Sequence, residues 1–130
     1  MTSNKTTLTR EALLERAKPR YEVVDVPGWG TVGIRTQLET KRARRAADHF
    51  VNGKYQQDVA DKRRAYMMID QLMIDEETPM FQESDVEALA SGNGAVYDEL
   101  IYAIQQFNEE YDPENDPKKK LDESNDSNAG

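Results

Sequence analysis

Two stretches of the chain repeat apolar residues at helical spacing, and the polar runs around them lay out the rest of the fold. In the first, Met68, Ile69, Leu72 and Met73 share one face; in the second, Val96, Leu100, Ile101, Ile104 and Phe107 share another. Each predicts a helix with one core-facing stripe. Asp75-Glu76-Glu77-Thr78-Pro79 stands between them and predicts a helix end, because a proline pushes its predecessor out of the α region. Ser84, with Glu87 three residues on, has the pattern of a capping box opening a short helix, and Gly92-Asn93-Gly94 closes it.

The front half reads differently. Thr9 is a good N-cap for a short helix through Ala17, with Leu13 and Leu14 as its anchor and Pro19 as its stop. Residues 21–26 and 31–35 are β-rich runs separated by Pro27-Gly28-Trp29-Gly30, so the natural expectation is a β-hairpin with Val24, Val26, Val32 and Ile34 toward the core. Residues 38–51 read as a helix with Asn52-Gly53 as its exit, and 55–60 is ambiguous between loop and helix. The last helix ends near Tyr111. The expected fold is α+β: a short N-terminal helix and β-hairpin packed on a small helical bundle, one domain over 8–111, between a disordered arm (1–7) and a disordered acidic tail (112–130).

Composition narrows the function classes. Of 130 residues, 37% are apolar and 32% charged, enough for one core with little to spare. The absence of cysteine excludes disulfides, thiolate nucleophiles and cysteine-ligated metals, and the polar start Met1-Thr2-Ser3-Asn4 lacks the apolar run of a signal peptide. A cytoplasmic protein that does not enter membranes is the simplest expectation. Charge is uneven within the net −8: residues 35–64 hold nine Lys or Arg against four Asp or Glu, whereas 65–108 hold no Lys or Arg. Halves of opposite sign can attract within one chain or head to tail between chains, at a range limited by salt to about 8 Å.

Little points to catalysis, and no cofactor or metal is expected. The single histidine, His49, has no second ligand or base near it in sequence, and general-base chemistry needs a positioned partner. Asp75-Glu76-Glu77 and Glu109-Glu110 are acidic runs at helix ends, and neither 75–87 nor 112–116 has the alternating oxygens and central glycine of a calcium loop. Lys41, Arg42, Arg44 and Arg45 form a basic cluster that reads as a solvated helix face or a phosphate contact. Trp29 at the hairpin tip either covers the core edge or projects as an aromatic anchor. Met67, Met68, Met73 and Met80 suit core filling or an adaptable surface, and Met67 is the one expected outside. The partner-binding candidates are therefore Trp29, Arg42, Arg44, Arg45 and Met67.

The order of these elements resembles the tail assembly chaperones of long-tailed bacteriophages. The family pattern D-E-x-G-x-x-L-F-x-x-x-D-V-x-x-L, followed by a long helix ending near an Asn, is matched by Asp75, Glu76, Phe81, Asp85, Val86, Leu89 and Asn108. The opening helix around Leu8 to Leu14 and the hairpin around Tyr21 to Val32 fit as well, so the likeness spans about residues 7–110. Residues 36–42 and Asn93-Gly94 depart from the usual pattern. The resemblance implies a non-enzymatic protein of a phage or prophage, acting in the host cytoplasm, whose partner is the tape measure protein and, beside it, the tail tube protein. It also implies a second, longer product made by ribosomal slippage, for which Lys118-Lys119-Lys120 is a candidate site. Two other classes stay open: a phage-derived, nucleic-acid-associated regulator using the basic 41–64 face, and an unrelated bacterial adaptor.

Overall fold

Thr9 caps the first helix as its residue type requires. In the computed structural model, which describes residues 7–112, its side-chain oxygen accepts a hydrogen bond from the Ala12 amide (3.1 Å), opening α1 (Arg10–Arg16). Nothing in α1 is buried: Leu13 and Leu14, expected as its anchor, are about half exposed and stand outside the core cluster. The arm at 1–7 and the tail at 112–130, with its lysine run, lie outside the described residues but for Thr7 and Asp112.

The hairpin forms with the expected facing. β1 (Tyr21–Val26) pairs antiparallel with β2 (Gly30–Arg35), Val24 opposite Val32, so that Val26, Val32 and Ile34 enter the core and Val24 packs at its border. The turn takes Pro27 first and Gly28 at φ 84° second, with the Trp29 amide donating to the Val26 carbonyl (2.9 Å). That is a type II turn, which asks for this pair of residues.

Two helices end earlier than expected. α2 (Glu39–Asp48) stops short of residue 51, and Phe50–Val51 (β3) folds back on Lys54–Tyr55 (β4). Asn52 (φ 52°) and Gly53 (φ 77°) both take the left-handed conformation, so this Asn-Gly is a hairpin turn rather than a helix exit. The ambiguous 55–60 region divides between β4 and α3 (Gln57–Asp61). α4 (Arg63–Gln71) likewise ends early: Leu72–Met73 form β5, which pairs with β2 through Gly33↔Met73 and Ile34↔Leu72. The acidic link then returns on itself. The Ile74 amide donates to the Thr78 carbonyl (2.8 Å), the Met80 amide to the Leu72 carbonyl (3.0 Å), and Met73 bridges Pro79.

The second short helix begins upstream of Ser84. Gln82 and Asp85 form the capping box, Asp85 Oδ2 accepting from the Gln82 amide (2.8 Å), ahead of a 3-10 turn (Glu83–Asp85) and α5 (Val86–Ala90). A second 3-10 turn (Gly94–Tyr97), capped by Asn93, leads into α6 (Asp98–Glu110), which ends at Tyr111 as expected. Val96 falls in that turn and is exposed, whereas Ile101, Ile104 and Phe107 are buried. The fold is α+β: a three-stranded sheet in the order β1-β2-β5, with α4, α5 and α6 packed on one face around Ile34, Met68, Leu72 and Ile104. No helix among the described residues is long and apolar enough to cross a membrane.

Candidate partner-binding groove

α6 carries more apolar surface than the core consumes. Its stripe of Ile101, Ile104 and Phe107 faces the sheet, and Tyr102 and Ala103 sit on the flank, Tyr102 largely exposed. Across from them runs β1, which packs against α6. Between strand and helix lies a groove of about 690 Å³. Val24, Pro27, Tyr102, Ala103 and Phe107 supply its apolar surface. Carboxylates line it from both sides, Glu22 and Asp25 from the strand and Glu99, Glu109 and Glu110 from the helix, and among the described residues no Lys or Arg lines it. The Tyr111 hydroxyl reaches Glu22 Oε2 (3.4 Å). Burial, then the nearby charges of Glu110 and Glu22, raise that phenol above its ordinary pKa.

Among the described residues, the strand side of the groove is also the open edge of the sheet. β1 is terminal in the strand order, so alternate residues direct N–H and C=O groups away from β2. The opposite edge, β5, is covered by the chain's own return through 78–80.

The basic cluster has a different fate from the one expected. Arg45 is 8% exposed and belongs to the interior. Its Nε and Nη2 donate to Asp70 Oδ2 (3.0 Å) and Oδ1 (2.6 Å), Nη2 also reaches Glu83 Oε1 (2.7 Å), and the guanidinium lies 4.1 Å over the Tyr66 ring centroid. Asp70, 1% exposed, accepts a further bond from Gln37 Nε2 (3.1 Å), and Lys41 Nζ completes the network on Glu83 (2.7 Å). Burial works against the charge on Arg45, but the hydrogen bonds it donates to Asp70 and Glu83 outweigh it and raise its pKa. The hydrogen bond from Arg45, with Lys41 assisting, holds the Glu83 carboxyl down at about 2. Lys62 pairs with Glu87 (2.6 Å) and Arg64 with Asp98 (2.7 Å). The two halves of opposite sign thus meet within the chain.

Of the other expected contact residues, Arg42 and Arg44 are exposed on α2, and Trp29 projects from the hairpin tip at 49% exposure. Met67 is partly buried against the core, and among the described residues Met80 is the exposed methionine. Met67 borders a second cavity, of about 440 Å³, with His49, Tyr55 and Arg63 at its wall. His49 Nδ1 sits 2.6 Å from the Arg45 carbonyl, which can only accept, so the ring donates from Nδ1. The structure brings no two of Trp29, Arg42, Arg44 and Met67 into the groove. Glu22, Asp25, Glu99 and Tyr102, which form it, escape sequence reasoning; their one signal is Tyr102 and Ala103 widening the apolar stripe of α6 between carboxylates. Compared with protein-family models, with curated proteins and with solved structures, the chain finds no match.

Proposed function

We propose that this chain is a protein-binding chaperone that uses the β1–α6 groove to hold a partner polypeptide, and that it is a tail assembly chaperone of a phage or prophage whose partner is the tape measure protein. The observation that supports the reading is the groove itself, an apolar floor between carboxylate walls on a small, highly charged domain. Such a surface covers apolar segments of a long chain and stays dissociable, because its polar rim remains hydrated when empty. No covalent step or cofactor is needed, and the site of action is the host cytoplasm, where the tape measure chain waits for tail tube subunits. The rival reading, phosphate contact through 41–64, is weakened because Lys41, Arg45, Lys62 and Arg64 are engaged by the chain's own carboxylates.

The test is co-expression with fragments of the long helical reading frame encoded next to this gene. The native chain keeps a fragment in the soluble fraction, and Tyr102→Ala combined with Glu99→Lys loses it while circular dichroism stays native. Retention of every fragment by that variant removes the groove from the proposal. A neighbourhood without tail genes removes the phage assignment.

A further inference from the structure

The geometry points to strand addition: the groove takes an extended, cationic segment of a partner, which pairs with the open edge of β1 as a fourth strand. This rests on the reading of the groove as a partner site, and adds the conformation and chemistry of what it holds. Three observations carry it.

First, the strand wall of the groove is an unpaired edge, whereas the far edge of the same sheet is closed by 78–80. A helix laid over β1 would take its outward N–H and C=O groups out of water with nothing to bond them. An extended segment satisfies them in the act of docking. Second, every charge that the described residues bring to the groove is a carboxylate: Glu22 and Asp25 on the strand, Glu99, Glu109 and Glu110 on the helix. A neutral or acidic segment gains nothing from that field, and a segment with Lys or Arg does. Third, the apolar surface is one-sided. Val24, Tyr102, Ala103 and Phe107 lie toward the α6 side. An added strand sends alternate side chains to opposite faces, so one set meets this floor and the other remains outside. The floor-facing set therefore combines Val or Ile, over Val24 and Ala103, with Lys or Arg, because Glu22 shares the face of Val24 and the carboxylates of α6 lie on that same side. Glu22 and Asp25 then have a double role: they repel copies of β1 that would pair edge to edge, and they attract a basic strand.

The experiment uses the full chain and synthetic peptides of about seven residues, the length matched to β1. One alternates Thr with a floor-facing set of Val and Arg; a second replaces each basic residue by Glu; a third has the same net charge in a helix-forming order. Two further versions of the first carry backbone N-methyl groups on one or the other set of alternate residues. The alternating basic peptide is expected to bind, with affinity falling as salt rises, and to slow amide exchange in β1. N-methylation of one set is expected to weaken binding by about tenfold or more, and of the other set to leave it nearly unchanged, since only one set faces β1. Asp25→Lys with Glu99→Lys is expected to abolish binding with native circular dichroism; if that variant does not fold, the peptide series on the unaltered chain decides. Equal binding of both N-methylated peptides, preference for the helix-forming or acidic peptide, or no binding at all overturns strand addition. Slow β1 exchange that depends on protein concentration without peptide makes a second copy the occupant and overturns it too. A tape measure fragment that is held soluble while no peptide binds removes this inference and leaves the chaperone reading; peptide binding without such a fragment does the reverse.

Discussion

Replacing Asp70 by Ala strands a buried guanidinium, and the cost follows from its surroundings. Asp70 takes two hydrogen bonds from Arg45 and one from Gln37, and neither Asp70 nor Arg45 has more than a trace of solvent contact. Breaking a buried pair by removing one partner costs about 3–5 kcal/mol. Arg45 keeps Glu83, which is partly solvated, so the expected loss is about 2–4 kcal/mol. Against a domain stability of about 5–15 kcal/mol this is a large fraction. The companion is Arg45→Met with Asp70→Leu, which removes both charges and keeps the volume filled; apolar replacement of a buried pair is near neutral or stabilising, so the double variant is expected to recover most of the loss. Urea unfolding followed by circular dichroism of the native chain, Asp70→Leu, Arg45→Met and the double variant gives the four corners of the cycle, with Asp70→Ala beside them. A single-variant loss under about 1 kcal/mol, or additive losses in the double variant, would refute the view that the pair is a buried, mutually dependent unit.

Three other outcomes are expected. Glu83 has its pKa lowered on folding, from an ordinary carboxylate value to about 2, so it contributes stability above about pH 4.5 that is lost as pH falls toward 2; urea midpoints across that range show the slope, and Glu83→Gln flattens it. Ile104→Ala, at a fully buried position, costs about 2–5 kcal/mol in the same assay, whereas Leu13→Gln with Leu14→Gln changes stability by no more than about 0.5 kcal/mol per site. Gly53→Ala places a side chain at φ 77° in a tight turn and costs about 1 kcal/mol, although nothing lies near enough for its Cβ to strike.

The legible parts of the fold are those where local and tertiary preferences agree. Pro27-Gly28 specifies a turn, and alternation on either side of it marks Val26, Val32 and Ile34 as core. Leu72–Met73 is not legible, since a short apolar run satisfies helix and strand periods alike; the free edge of β2 decides it. Asn52-Gly53 carries its own left-handed signature, but the helical run before it hides the two-residue strands. Arg45 looks like one more surface cation because its partners lie 25 and 38 residues away and no local pattern announces them. The groove is hidden for the same reason: its walls come from opposite ends of the domain and are ordinary carboxylates in either one alone.

The pairing of an early basic half with a late acidic half sets an order on synthesis. Glu83 leaves the ribosome 38 residues after Arg45, an interval of about 2–8 s at ordinary elongation rates. During it the hairpin of β1 and β2 can form, but Glu83 and the α6 residues that close the core have not yet emerged. The emerging half is cationic and unfinished, beside a ribosome whose RNA is anionic, and its internal neutralisation coincides with closure of the core. Folding therefore completes in one late step, and a chain truncated before α6 leaves its basic segment open to any polyanion nearby.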